Sequence, residues 1–371
     1  MSNLQKVFLV VGARPNFMKM SPLYFELIKE KGVKTSIIHT GQHYDYEMSQ
    51  AFFEEFDLPK PNHFLGVGSG THAEQTGKIM IQFEKVLSKE KPDLVVVFGD
   101  VNSTLACSVT ARKLNISVAH VEAGLRSFDM TMPEEINRKV TDAISDLLFT
   151  PSKDADENLM REGIGRNKIH LVGNIMIDSL ITILEKIAQS YEDKILQKFD
   201  LQRGDYVLVT LHRPSNVDSK DSLEKILSFL NNLSQEVPVI FPMHPRTKRN
   251  IDKFGIKLVF NKKFYISKAL KYTEFIVLEK DARIVLTDSG GIQEETTYLN
   301  LPCLTLRPNT ERPITITEGT NELVNMDNIE EEVRLILSGN RKQGKVPELW
   351  DGKTGHRIAQ VISGYNNGDY C

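Results

Sequence analysis

The stretch ARIVLTDSGGIQEETTYLN, residues 282–300, changes character near its middle. Its first part is a short run of branched apolar residues, which predicts a buried β-strand. Ser289, Gly290 and Gly291 follow directly, and the residues after them predict a helix. A buried strand joined to a helix by a glycine-rich turn is typical of parallel sheets that are covered by helices on both faces.

The same alternation recurs along the chain. Apolar runs at 6–12, 93–100 and 116–124 predict strands in the front half, and a second series begins at residue 205. In the helix predicted for 21–32, we expect Ser21 as the N-cap and Pro22 at the first helical position. We therefore predict an α/β protein with two Rossmann-like, doubly wound domains. The expected boundaries are 1–178 for the first domain, 179–204 for a helical connection, 205–350 for the second domain, and 351–371 for a C-terminal helix that could pack back on the first domain.

Composition restricts the possible partners. The chain has 371 residues and a formal net charge of -3, without a basic run that would indicate a nucleic-acid partner. Cys107, Cys303 and Cys371 are widely spaced, which disfavours a zinc site or a disulfide framework and fits a reducing cytoplasm. The N-terminal apolar run lacks the length and cleavage site of a signal peptide, and no apolar run is long enough to span a membrane.

The turn after residue 287 has the features of an anion site. A helix N-terminus presents unpaired N–H groups, and Gly290 and Gly291 would let a phosphate approach the backbone closely. Ser289 could donate to a phosphate oxygen, and Glu295, about a turn further on, could accept hydrogen bonds from ribose hydroxyls. The alternative is an ordinary capped helix with acidic residues near its start.

Other polar residues follow other predicted strands. The motif GARPNFMK, residues 12–19, is neither a dinucleotide fingerprint nor a P-loop, but it supplies cations that could hold phosphates. Acids that converge on one cleft could divide acid and base roles. Because ligands bind beyond the carboxyl ends of parallel strands, these clusters predict a cleft between the domains. The alternative interpretation of these residues is that they are solvated loop residues, helix caps and a structural histidine. The candidate residues are Arg14, Lys19, Asp100, Glu122, Glu134, His212 and Arg213.

Together these motifs resemble one family. GARPNFMK, HTGQHYDYEMS, FGDVNSTLA, HVEAGLRSFDMTMPEEINR, LHRPSN, TDSGGIQEE and LRPNTERP occur in that order. In this respect the chain, from about residue 6 to 360, is similar to the non-hydrolysing UDP-N-acetylglucosamine 2-epimerases. The resemblance implies a glycosyltransferase B type fold with the UDP-sugar in the interdomain cleft. It also implies a cytoplasmic homodimer that interconverts UDP-GlcNAc and UDP-ManNAc for polysaccharide biosynthesis, without a cofactor or a metal.

The resemblance also implies a role for each matching residue. The reaction would eliminate UDP to leave 2-acetamidoglucal and then add UDP again after protonation of the other face. Asp100, Glu122 and Glu134 would be the acids and bases, with His212 as a further catalytic group. The substrate would be bound by Arg14, Lys19, Arg213, Phe275, Ser289, Gly290, Gly291, Glu295 and Arg312.

Two features depart from the common family pattern. Met132 stands where many members have tryptophan, and Ser69 and Gly70 stand where some bacterial members have an Arg-Gln pair for an activating second UDP-GlcNAc. The other matches to that possible allosteric site are Gln42, His43 and His244.

Several functions stay open at this stage. The RSFDMTMPEEINR version of the motif is similar to that of 2-epimerases acting on UDP-2,3-diacetamido-2,3-dideoxy-glucuronic acid. The carboxylate at C6 of that substrate would require an additional cation near the sugar, and Arg126, Arg246 and Arg307 are available. The motifs are also compatible with a glycosyltransferase of the same fold, a hydrolysing relative or a non-catalytic UDP-sugar sensor.

Overall fold

The computed structural model describes residues 5–42, 53–257 and 259–365. The chain divides into two compact units, each with its own parallel sheet. The first unit runs to Ser179 and takes in the segment from Glu348 onward, and the second comprises Leu180–Pro347. Two parallel sheets with helices confirm the predicted α/β class. No helix in the described ranges has the length and apolarity needed to cross a bilayer.

The sheet of the first unit has seven strands in the order β3-β2-β1-β4-β5-β6-β7, and each adjacent pair is parallel. The strands are β1 Gln5–Val11, β2 Val33–His39, β3 His63–Phe64, β4 Leu94–Phe98, β5 Ser117–Val121, β6 Leu147–Thr150 and β7 Ile169–Leu171. The helices are α1 Arg14–Leu27, α2 His72–Glu90, α3 Asn102–Lys113, α4 Pro133–Ile144 and α5 Lys153–Arg161, followed by α6 Ile175–Lys186, within which the unit boundary falls.

The sheet of the second unit has six parallel strands in the order β10-β9-β8-β11-β12-β13. They are β8 Val207–Thr210, β9 Val239–Met243, β10 Phe264–Lys268, β11 Ile284–Thr287, β12 Cys303–Leu306 and β13 Asn321–Val324. The helices are α7 Gln189–Lys198, α8 Pro214–Val217, α9 Lys220–Leu233, α10 Pro245–Phe254, α11 Tyr272–Lys280, α12 Gly290–Leu299, α13 Ile314–Thr317 and α14 Ile329–Leu337, and a last helix, α15 Thr354–Ser363, returns to the first unit.

Both sheets reverse their strand order at one place. In the first unit β1 lies between β2 and β4, and in the second β8 lies between β9 and β11. At such a place the connections leave to opposite faces and open a crevice beyond the carboxyl ends of the strands. The turns after β1, β4, β8 and β11 are therefore the positions at which to look for a site.

The predicted start of the first helix is wrong. Helix α1 begins at Arg14, so Pro22 lies inside it instead of at its beginning. A proline within a helix lacks the N–H that would bond to the carbonyl four residues earlier, which here belongs to Met18. The Ser179 hydroxyl donates to that carbonyl instead. A side chain distant in sequence thus satisfies the group that Pro22 leaves open.

The C-terminal helix α15 packs against α1 within the first unit. A Cβ at Gly355 would lie 3.0 Å from the Pro22 carbonyl, so the glycine permits close packing. The Gly355 N–H also donates to Asp178 Oδ2 at 2.7 Å. Trp350 is buried, and its indole N–H donates to the carbonyl of Pro151 at 3.2 Å.

Asp178, beneath the start of α15, makes stability depend on pH. Burial raises the pKa of Asp178 from 3.8 to about 6, although the Gly355 N–H opposes the shift. Because the pKa is higher in the folded protein, the protonated Asp178 contributes its full stabilisation below about pH 3.8. This contribution is lost as pH rises through about 6. We expect the free energy of unfolding of the wild type, relative to Asp178→Asn, to fall by about 3 kcal/mol over that range. Urea denaturation at a series of pH values measures this difference, and parallel pH profiles of the two proteins would contradict it.

Candidate active site

Asn16, in the first turn of α1, connects the carboxyl ends of two strands of the first sheet. Its side-chain oxygen accepts from the N–H groups of Gly12 and Ala13 at 3.2 and 3.0 Å. Its side-chain nitrogen donates to the carbonyl of Phe98 at 2.9 Å. Asn16 thereby joins the ends of β1 and β4, the two strands at which the strand order reverses.

Lys19 and Glu122 form a buried ion pair at this edge. The pair leaves no room for a side chain at Gly99, where a Cβ would lie 2.9 Å from Lys19 Nζ and 3.1 Å from Glu122 Oε2. Glu122 has a φ of 74°, in the left-handed region that residues other than glycine rarely adopt. Such strained positions cluster at functional sites. Lys19 was predicted to contact phosphate, and here its ammonium contacts one of the three predicted acids.

Asp100 belongs to a second charged group, organised by Arg138. Arg138 pairs with the Asp100 carboxylate and with the fully buried Glu135. Glu135 also accepts hydrogen bonds from the N–H groups of Ser127 and Phe128, at 3.0 and 3.1 Å. Burial alone would raise the pKa of Glu135, but these hydrogen bonds and the charge of Arg138 lower it below its ordinary value. Glu135 is therefore a structural acid that orients Arg138 and the loop before α4.

Glu134 and Arg14, two further predicted residues, occupy first-turn positions. Glu134 is half-buried in the first turn of α4, next to Glu135. Arg14 is the first residue of α1 and is exposed. The first unit therefore places all five of its predicted catalytic and substrate-binding residues in the turns that follow β1, β4 and β5 or in the first two turns of the helices after them.

A buried network supports the loop after β5. The His120 ring contacts Asp142 Oδ1 at 2.6 Å through Nδ1 and the carbonyl of Gly99 at 2.8 Å through Nε2. Arg126 pairs with Asp142 at 2.7 Å and with Glu162 at 2.6 Å. Burial would raise the pKa of Asp142, but the neighbouring His120 and Arg126 lower it. This network ties the turn after β4, including Gly99, to the turn after β5.

Asp288 connects residues at the carboxyl ends of strands in the second unit. It accepts hydrogen bonds from the backbone N–H groups of His212 and Arg213, at 2.9 and 2.8 Å, and from Asn216 Nδ2 at 3.0 Å. His212 Nδ1 lies 2.9 Å from Asp288 Oδ1, which leaves Nε2 as the ring nitrogen for a ligand. Burial would raise the pKa of Asp288, but the hydrogen bonds from His212 and Asn216 lower it. Asp288 thus holds His212 and Arg213 at the carboxyl end of β8.

Glu311 gathers the arginines at the start of α12. Its carboxylate contacts Arg307 at 2.7 Å, Arg312 at 2.5 Å and Arg213 at 3.9 Å. A Cβ at Gly290 would lie 2.4 Å from Arg312 Nη1 and 2.8 Å from Glu311 Oε1, so only glycine fits there. Positive side chains thus surround a helix N-terminus, an arrangement that attracts anions.

The remaining predicted residues of this unit lie on α11 and α12 or directly before α12. Glu295, on α12, is buried and accepts a hydrogen bond from the Tyr272 hydroxyl at 2.6 Å. Phe275, on α11, is partly buried and packs against the core between α11 and the sheet. Ser289 is the N-cap residue of α12 and is half-buried, and Gly291 is the second residue of that helix.

The predicted allosteric residues are only partly described. Gln42 is buried, and its side-chain oxygen accepts from the Ser103 N–H at 3.1 Å and from the Ser103 hydroxyl at 2.6 Å. His244 is the N-cap of α10, and its ring centroid lies 5.0 Å from that of His212. His43 lies outside the described residues.

The residues that position the others were not among the predicted site residues. Asp288 and Glu311 lie inside the quoted motifs TDSGG and TERP, and Glu135 and Arg138 lie inside PEEINR. The motifs therefore contained them, but only the fold shows which charges they hold in place.

Comparison with known proteins shows the family of this chain. The family model described as UDP-N-acetylglucosamine 2-epimerase matches residues 26–363. The UDP-N-acetylglucosamine 2-epimerase of Methanocaldococcus jannaschii is 46% identical over 96% of this chain and 99% of its own length. A crystal structure of the enzyme from that organism, in complex with UDP-GlcNAc and UDP, superposes with a TM-score of 0.89 at 46% identity, covering 97% of this chain and 100% of the other.

A relative with another substrate matches over a similar length. The UDP-2,3-diacetamido-2,3-dideoxy-D-glucuronate 2-epimerase of Pseudomonas aeruginosa is 40% identical over 96% of this chain and 99% of its own length. Both relatives are 2-epimerases of nucleotide sugars, and an epimerase is an isomerase. The family model and the full-length relatives together show that this chain is an isomerase that belongs to the UDP-N-acetylglucosamine 2-epimerase family.

Proposed function

We propose that this enzyme interconverts UDP-GlcNAc and UDP-ManNAc by inverting C2 of the sugar. The similarity to a 2-epimerase whose crystal structure holds UDP-GlcNAc and UDP, over nearly the whole of both chains, is the observation that carries the proposal. The acids that follow the strands of the first unit and the arginine-rich helix start of the second unit would supply the chemistry that such a substrate needs.

The second unit would bind the UDP moiety. The N-terminus of α12, with Ser289, Gly290 and Gly291, would hold the diphosphate together with Arg213 and Arg312. Glu295 would accept hydrogen bonds from the ribose hydroxyls. Phe275 would lie beside the uracil ring.

The first unit would act on the hexose. A carboxylate removes the C2 proton, and its electron pair forms the C1–C2 double bond as the C1–oxygen bond to UDP breaks. The resulting 2-acetamidoglucal is protonated at C2 on the other face, and UDP adds to C1 again. Asp100, Glu122 and Glu134 are the candidate acids and bases. Arg14, Lys19 and His212 would stabilise the charge on departing UDP.

The diacetamido-uronate is the second candidate substrate, because the Pseudomonas aeruginosa relative acts on it. Its extra carboxylate would need a cation, but each arginine suggested for this purpose already pairs with an acid. Arg126 is buried against Asp142 and Glu162, and Arg307 is buried against Glu311. Arg246 is partly exposed and pairs with Asp218. These pairings favour UDP-GlcNAc.

The family resemblance also supports a homodimer that acts in the cytoplasm. Size-exclusion chromatography with light scattering measures the mass of the assembly, and a monomer mass would contradict the dimer. Ser69 and Gly70 replace the Arg-Gln pair that would complete a second site with Gln42, His43 and His244, so we expect initial rates to depend on substrate concentration without cooperativity.

Proton NMR in D2O tests the proposed reaction. With UDP-GlcNAc as the sole sugar, we expect signals of UDP-ManNAc to grow while deuterium from the solvent replaces hydrogen at C2 of both sugars. The diacetamido-uronate, supplied in a separate sample, is expected to turn over more slowly. Release of free ManNAc would indicate a hydrolysing enzyme. If neither UDP-GlcNAc nor the diacetamido-uronate gains deuterium at C2 in its own sample, the proposal is contradicted.

A further inference from the structure

Glu279, near the end of α11, is a buried acid that the proposed reaction does not use. Its side chain is fully buried. Neither carboxyl oxygen receives a hydrogen bond from any N–H or O–H group within residues 5–42, 53–257 and 259–365. Buried polar groups are normally paired, so this one requires an explanation.

The group beside Glu279 is the carboxyl of Glu295 on α12. Two ionised carboxylates at hydrogen-bonding distance repel each other, and a hydrogen bond between them requires a proton on one. Glu295 already accepts a hydrogen bond from the Tyr272 hydroxyl at 2.6 Å, which suits an ionised carboxylate. Burial, followed by the charge of Glu295, raises the pKa of Glu279 well above its ordinary value. The proton therefore belongs on Glu279.

The other titratable groups around Glu279 do not supply a compensating positive charge. The Tyr206 hydroxyl donates to the carbonyl of Leu278 at 2.6 Å. Cys303, on β12, is buried, and burial raises the pKa of its thiol to about 12. Both groups are neutral near pH 7. In the part of the chain that the structure describes, Glu279 has no lysine, arginine or histidine as an ion-pair partner.

We propose that Glu279 is a neutral carboxylic acid that donates its proton to Glu295, and that it positions Glu295 for the ribose of the nucleotide. The hydrogen bonds from Glu279 and Tyr272 occupy part of the acceptor capacity of Glu295 and fix the plane of its carboxylate. A ribose would then meet this carboxylate in one fixed orientation. The role of Glu295 at the ribose rests on the proposed function, whereas the shared proton does not.

Infrared spectroscopy tests the proton directly. We expect the difference spectrum between wild type and Glu279→Gln, recorded in D2O at mildly alkaline pH, to show the carbonyl band of a protonated carboxylic acid in the wild type. Glu274→Gln, on the same helix, is the matched control and should show no such difference. A spectrum with only ionised carboxylate bands would overturn the proposal, whatever the protein binds.

Calorimetric titration tests the positioning role. UDP and 2′-deoxy-UDP differ in one ribose hydroxyl, so the ratio of their Kd values reports on the ribose contact alone. Glu279→Gln keeps a donor for Glu295 and should keep the wild-type ratio. Glu279→Met fills the same space without a donor, and we expect its preference for UDP to fall about tenfold.

The outcomes separate the two hypotheses. A wild type that does not distinguish the two nucleotides would overturn the ribose role of Glu295 and with it the positioning role of Glu279. A wild-type preference that Glu279→Met retains in full would overturn only the role of Glu279. Thermal unfolding of each variant confirms that the folded protein is being compared.

Discussion

Glu122→Gln is expected to lower turnover about 10²- to 10⁴-fold while leaving the affinity for UDP nearly unchanged. Glutamine has the shape of glutamate, and its amide oxygen can still accept a hydrogen bond from Lys19, the ion-pair partner of Glu122. It cannot take up a proton. Glutamate and glutamine differ little in their cost for the left-handed conformation at this position, so we expect the loss to report on proton transfer and not on geometry.

Matched variants make this result specific. Asp100→Asn and Glu134→Gln should also lower turnover by orders of magnitude, whereas the exposed Glu157, which pairs with Arg161 on α5, should tolerate glutamine. Initial rates and UDP titrations of all four variants are compared with the wild type. Near-normal rates in all three acid variants would refute the assigned acid–base chemistry, and a matching loss in Glu157→Gln would indicate a nonspecific effect.

Glu311→Gln should weaken UDP binding about 10- to 100-fold. The direction is informative because this change removes a negative charge from an anion site, and charge alone would tighten binding. We expect weaker binding because Glu311 holds Arg307 and Arg312 at close range and is near Arg213. Without its charge these arginines repel one another and leave the positions at which they meet the diphosphate.

The control for this prediction is Glu318→Gln, which breaks a partly exposed ion pair with Lys345 in the same unit. Its UDP affinity should match that of the wild type, since exposed pairs contribute little. Titrations with inorganic pyrophosphate and with uridine show which part of the ligand is affected. Tighter pyrophosphate binding by Glu311→Gln would show that the carboxylate acts only through its charge.

The fold could be predicted from local sequence because each buried strand is short, apolar and bounded by a polar turn. The start of α1 was predicted at Pro22, although Pro15 occupies the second position of the helix; Pro22 lies inside it, where the Ser179 hydroxyl donates to the Met18 carbonyl. That contact joins residues 161 positions apart. Local pattern favours a helix that begins at a proline, and only the folded chain supplies the substitute donor.

The candidate site could also be predicted only in part. The turns after β1, β4, β5, β8 and β11 were predicted as site positions because polar residues follow apolar runs there. The partners within the site were not predicted, since Lys19 on α1 meets Glu122, which follows β5, only in the folded chain. In the same way Glu311 meets Arg213 only when the turn after β12 reaches the end of β8. Pairings between distant segments carry no local signal.

The C-terminal segment belongs to the first unit, and this determines which fragments of the protein can fold alone. The last helix covers α1 through Gly355, and Ser179 completes α1 at Met18. A gene fragment that stops at residue 178 would encode neither contribution, so we expect it to be insoluble or unfolded when expressed alone. A circular permutant that links residue 371 to residue 1 and opens at the boundary between residues 347 and 348 keeps both contributions, so the first unit becomes one continuous segment.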